Sequence, residues 1–133
     1  MIILNGFDDI GLLILRVLLG FIFFTHAIPK LKMPRAMAKS MNKPAAMIAS
    51  LGTLEFVSGL ALIFGVLTQF AALAVGLVML GSLYYKIFVW KIPFVSMEKP
   101  GWELDLILLG AAIVVLFVGA GSLSVDVSLG FWP

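Results

Sequence analysis

The 133-residue chain contains no cysteine, a single histidine and few charges, with only 12% of its residues Asp, Glu, Lys or Arg. The lack of cysteine excludes disulfides, thiol redox chemistry, iron–sulfur clusters and cysteine-ligated metals within the chain. One histidine leaves neither a bis-histidine haem nor a conventional His/Cys metal cluster, so no metal site is expected. Scarce charge beside 62% apolar residues excludes disorder, which needs the opposite composition. It equally excludes a soluble globular domain, since a chain this short has too little interior to hide so much apolar side chain. With a mean hydropathy of +1.17, the bilayer is the solvent that remains.

What is present falls into four hydrophobic runs, at about 10–28, 47–67, 70–88 and 102–118. Arg16 and His26 interrupt the first, Glu55 the second, Lys86 the end of the third, and Glu103 and Asp105 the first turn of the fourth. At 1.5 Å per residue the runs are about 25–32 Å long, which matches a hydrocarbon core of about 30 Å. Runs this long without alternation are helices, the form that satisfies its own backbone in lipid. The expected fold is an all-α integral membrane four-helix bundle, one transmembrane domain over 1–133, with a short interfacial helix in the first loop. The first run does not read as a cleavable signal, because Asp8 and Asp9 precede it and no small-residue cleavage pattern follows Ile28.

The formal charge of +2 and a pI near 9.1 reflect a positive-inside bias rather than nucleic-acid binding. Lys30, Lys32, Arg35, Lys39 and Lys43 lie between runs one and two, and Lys86, Lys91 and Lys99 at or between runs three and four. The opposite side carries Asp8, Asp9 and Asp126 and no basic residue. Both termini are therefore expected outside the cell membrane, with the two basic loops cytoplasmic. Within the first loop Met33, Met37 and Met41 recur every fourth residue, interleaved with cations. That spacing predicts an interfacial helix, thioethers at the acyl boundary and cations at anionic headgroups. The same stripe could ligate Cu(I), but interfacial packing explains it without a metal.

A charge inside a span costs at least about 2.5–3.5 kcal/mol on insertion scales and needs a partner or a task. Depth arithmetic puts Arg16 roughly 18 Å and Glu55 roughly 12 Å above the cytoplasmic end. This predicts an Arg16–Glu55 ion pair, with Asp126, folded back from the outer end, as the rival partner for Arg16. Gly52, Glu55 and Gly59 share one helical face, and Gly20 lies one turn from Arg16, so both charges are expected inside the bundle. His26, Lys30, Lys86, Glu103 and Asp105 fall near the cytoplasmic interface with Tyr84, Tyr85, Trp90 and Trp102. One reading is an ordinary interface, an aromatic belt with Lys30, Lys86 and Glu103 as its polar cluster. The other is a polar pocket for a ligand such as a quinone, lined by His26, Glu55, Tyr84, Tyr85 and Asp105.

Arg16-Val-Leu-Leu-Gly20 leading to His26-Ala-Ile-Pro-Lys30-Leu31 resembles the opening of the DoxX family. So do Glu55-Phe-Val-Ser-Gly59 continuing to Leu62-Ile-Phe-Gly65, the acid pair Glu103-Leu-Asp105, and the closing Gly119-Ala-Gly121-Ser-Leu-Ser124-Val-Asp126. The likeness runs from about Gly11 to Asp126, and Ala27 stands where the family usually has glycine. The resemblance implies a four-span membrane protein. In some relatives it implies a subunit of a thiosulfate:quinone oxidoreductase, in others a membrane partner of redox or stress-related proteins.

Two functional readings follow. The first is a quinone-handling or membrane-anchoring subunit of an oxidoreductase complex, with quinone as the candidate cofactor. Its electrons would come from a redox partner subunit or a bound redox group, because the chain has no cysteine and one histidine. The second is a non-catalytic scaffold, or a binder of lipid or a small hydrophobic ligand, in which the intramembrane ion pair sets helix register. Broken helices and internal repeats, the marks of a transporter, are not evident. The expected partners are the bilayer, a redox subunit, and quinone or lipid; no nucleic acid is expected.

Overall fold

The computed structural model of the protein describes residues 6–131, whose regular structure is entirely helical, with no strand among them and irregular backbone at 90–101 and 119–124. Helix α1 spans Asp8–Lys32, α2 Pro34–Met41, α3 Ala45–Phe64, α4 Thr68–Tyr84, α5 Trp102–Val118 and α6 Val125–Ser128. A π-helical turn, Tyr85–Val89, continues α4 directly. Among the described residues three helices are long and apolar enough to cross a membrane: α1, α3, and α4 with its π turn, of 25, 20 and 22 residues. Helix α5 has 17 residues, about 26 Å of length.

The boundaries differ from the hydrophobic runs for local reasons. Helix α1 passes through Pro29 and ends four residues beyond the expected Ile28. Proline lacks the donor and crowds the preceding turn, but its own carbonyl still accepts the Met33 N–H at 2.9 Å. Helix α3 starts at Ala45 and stops at Gly65, whose φ of +72° closes the last turn in the left-handed region. The N–H groups of Gly65 and Val66 both donate to the Ala61 carbonyl, at 2.8 and 2.9 Å.

Helix α1 packs along α3 and α4 along α5, while α3–α4 and α1–α5 contacts close the ring. Leu19 and Phe23 of α1, Leu62 of α3, Ala72 and Val75 of α4, and Ala112 and Val115 of α5 meet in one core. The α1–α3 seam is set by glycine. A Cβ on Gly20 would lie 2.5 Å from the Gly59 carbonyl oxygen, and one on Gly59 2.8 Å from that of Gly20. The two backbones touch there, which only side-chain-free residues permit. Large apolar side chains point outward all round, among them Phe21, Val57, Phe70, Leu77, Ile107 and Phe117, a surface suited to lipid and not to water.

Candidate functional site

The end of the bundle that carries the basic loops holds two lysine–carboxylate pairs, in which the acids are buried and the lysines half-buried. Lys30 Nζ of α1 lies 2.7 and 2.6 Å from the two carboxylate oxygens of Glu55 on α3. Gly52 makes this reach possible: a Cβ there would stand 2.8 Å from the Lys30 Cβ. The lysine stem therefore lies in the groove that glycine leaves and meets the acid one turn deeper. In the second pair, Lys86 Nζ lies 3.0 Å from Asp105 Oδ2, which also accepts from Ser82 Oγ at 2.8 Å. Ser82 and Lys86 are four residues apart, so one face of α4 presents both donors to α5.

The π-helical turn organises the aromatic side of this level. Trp90 N–H donates to the Tyr85 carbonyl at 2.7 Å, one residue wider than an α-helical bond. Consecutive side chains leave the turn in different directions. Lys86 reaches α5, and Tyr85 reaches back to the segment between α2 and α3, where Lys43 Nζ donates to its hydroxyl at 2.6 Å and stands 4.1 Å from its ring centroid. Tyr85 also meets Tyr84 and Trp90, each at 5.7 Å between centroids, and Tyr84 meets Phe88 at 5.6 Å. Tyr84 and Phe88 are 57% and 66% exposed, so this cluster presents an open aromatic face at the lipid side of α4.

At the far end, residues 119–131 fold back over the bundle. Arg16, 1% exposed, donates from Nη1 to the Ala120 carbonyl and from Nη2 to that of Leu123 at 2.8 Å. The rival partner expected for Arg16, Asp126, forms no direct ion pair with it. The Asp126 carboxylate itself accepts the N–H groups of Leu67 at 2.6 Å and Thr68 at 2.9 Å, capping the start of α4. Gly65 gives this clasp its room, for a Cβ there would lie 2.9 Å from the Arg16 Cζ. Asp9 fixes the other edge by accepting from the Ser122 backbone at 3.1 Å and from its hydroxyl. A cavity of about 210 Å³ beside the clasp is lined by Thr68, Gln69, Phe70 and Asp126, and one of about 390 Å³ by Asp8, Asp9 and Ser122.

A DoxX family model matches residues 11–90, which takes in Arg16, Lys30, Glu55 and the π turn. The chain belongs to the DoxX family. It is also 28% identical over 127 residues to a Bacillus subtilis (strain 168) protein named "Putative oxidoreductase CatD", covering 92% of this chain and 90% of that one. No solved structure matches.

The expected pairing of Arg16 with Glu55 is corrected in this DoxX chain. The Gly20–Gly59 crossing lies between them, Arg16 one turn to one side and Glu55 one turn to the other, which separates their levels by about 12 Å. This exceeds the roughly 6 Å expected from the hydrophobic runs, in part because α1 runs four residues past Ile28 and α3 begins two before Met47. Each charge has found a nearer partner, carbonyls for Arg16 and Lys30 for Glu55.

The other expected site residues divide. Tyr84 and Tyr85 adjoin, and Asp105 joins them through Lys86. His26 sits on the exposed face of α1, its Nδ1–H donating to the Ile22 carbonyl at 2.7 Å. Glu103 is exposed on the first turn of α5, so Lys30, Lys86 and Glu103 form no single cluster. Ala27, in place of the family's usual glycine, is fully buried. Sequence reasoning missed Lys43 and Ser82 as partners. Ser82, four residues before Lys86 and facing the same way, was detectable by helical spacing; Lys43 carried no such signal.

Proposed function

We propose that this DoxX chain is the membrane-embedded subunit of an oxidoreductase and holds a quinone headgroup against the Tyr84–Phe88 face at its basic end. The observation that carries this reading is the π-helical turn Tyr85–Val89. It sets an exposed aromatic face beside a half-buried Lys86–Asp105–Ser82 relay, and π-helical turns often mark functional sites. The name of the B. subtilis relative agrees with the reaction class.

The residues fit such a substrate. Tyr84 and Phe88 offer ring surface reachable from lipid, and the Tyr84 hydroxyl, without a partner among the described residues, donates to a quinone carbonyl. Quinone reduction takes up two electrons and two protons. The electrons come from a partner's redox group. The Lys86 ammonium, held by Asp105, passes on the two protons one after the other and is reprotonated each time from water at the basic end. His26 spends Nδ1 on the Ile22 carbonyl and keeps only Nε2 for any ligand. Helix α5 serves as the fourth span, both termini lie outside, and the basic end faces the cytoplasm.

A second reading rests on the pairing itself. Arg16, Glu55 and Asp105 are each neutralised or hydrogen-bonded within the chain, as a non-catalytic scaffold or lipid binder would have them. Purification of the full chain in mild detergent, followed by solvent extraction and mass spectrometry, separates the two. Quinone recovered near one per chain supports the first reading. Recovery of phospholipid without quinone, and no thermal response to added quinone analogues, supports the second.

A further inference from the structure

No carboxylate occurs from residue 10 to residue 54, a stretch that contains Lys30, Lys32, Arg35, Lys39 and Lys43 at the basic end of the bundle. The structure assigns two of these five to internal work. Lys30 is bound by Glu55 and Lys43 by Tyr85. Lys32, Arg35 and Lys39 are exposed and have no acidic partner among the described residues.

Helix α2 gathers these three. Arg35 and Lys39 are one turn apart on one face, and Lys32 is the last residue of α1, two positions before α2 begins. The other side of α2 packs on α3, with Ala38 buried and Met37 and Met41 half-buried. The bundle rather than the acyl boundary thus takes those two thioethers, which leaves the cations facing outward. Apolar side chains flank them: Leu31, Met33 and Met47 are 39%, 57% and 44% exposed.

We propose that Lys32, Arg35 and Lys39 form a binding site for the phosphate headgroup of an anionic phospholipid, whose acyl chains lie against Leu31, Met33 and Met47. Cations alone would suit any anion. Their place at the end of membrane-length helices, beside exposed apolar side chains, fits a molecule that is both anionic and hydrocarbon-tailed. The second basic loop lacks this character, because Lys91 and Lys99 are offset by Glu98 and Glu103. This site is independent of the quinone reading and survives its failure.

The test uses the full chain in neutral detergent, titrated with phosphatidylglycerol or with phosphatidylcholine of the same acyl chains, and read by native mass spectrometry. The wild-type chain retains phosphatidylglycerol in preference, and the preference falls as salt rises. The K32Q/R35Q/K39Q variant loses retention by roughly fivefold per neutralised cation, while K91Q/K99Q changes little. K32R/K39R keeps the preference and guards against misfolding of the triple variant. Equal retention of the two lipids by the wild-type chain overturns the proposal, as does a preference that persists in K32Q/R35Q/K39Q.

Discussion

The Arg16 guanidinium donates to the Leu123 carbonyl at 2.8 Å, tying the middle of the first helix to a segment 107 residues later. Its other terminal nitrogen donates to Ala120. A charge that the membrane would otherwise disfavour thus closes the far end of the bundle, and the carbonyls of an irregular segment gain donors that lipid cannot supply. Arg16→Gln removes the charge and at least one of these bonds. It is expected to cost about 3 kcal/mol, the scale for breaking a buried charged interaction. Thermal unfolding in mild detergent reads the loss, and hydrogen exchange of residues 119–131 rises with it. Unchanged exchange there would contradict the clasp.

Asp126 completes the clasp from the other side. Asp126→Asn keeps one acceptor for the Leu67 and Thr68 N–H groups and loses the other, with a cost of about 1 kcal/mol for a weakened cap. Hydrogen exchange localises the effect to the first turn of α4, and α1 below Gly20 stays protected.

Lys30 and Glu55 act as a unit separate from Arg16. A double-mutant cycle with Lys30→Gln and Glu55→Gln is expected to give a coupling of about 1–3 kcal/mol. Arg16→Gln combined with Glu55→Gln is expected to be additive within about 0.5 kcal/mol, because the two sites share no partner. Strong coupling in the second cycle would restore the Arg16–Glu55 pair.

The glycine seam responds to volume alone. Gly59→Ala places a methyl 2.8 Å from the Gly20 carbonyl oxygen, so α1 and α3 must move apart. The expected cost is about 1–3 kcal/mol. Gly110→Ala, whose Cβ would meet nothing within 4 Å, serves as the control and leaves unfolding unchanged or slightly later.

The helical class and the face of α3 that holds Glu55 were legible because both depend on periodic side-chain properties. Gly52, Glu55 and Gly59 declare a seam by spacing alone. The partners were harder to read. Arg16 binds carbonyls, which every residue has and no residue type announces. Lys30 reaches Glu55 only because α1 continues through Pro29, where a hydrophobicity run stops and a helix need not. The π turn shifts a hydrogen bond by one residue without any compositional mark, and so the divergent directions of Tyr85 and Lys86 emerge only from the folded chain.

A photoreactive quinone tests the central claim most directly. Full-length protein in membranes is irradiated with the probe, digested, and mapped by mass spectrometry against a photoreactive fatty acid. The account predicts labelling concentrated in residues 84–90, competed by unlabelled quinone and lost in a Tyr84→Ala/Phe88→Ala variant. Labelling that matches the fatty acid pattern, or that unlabelled quinone does not compete, would contradict it.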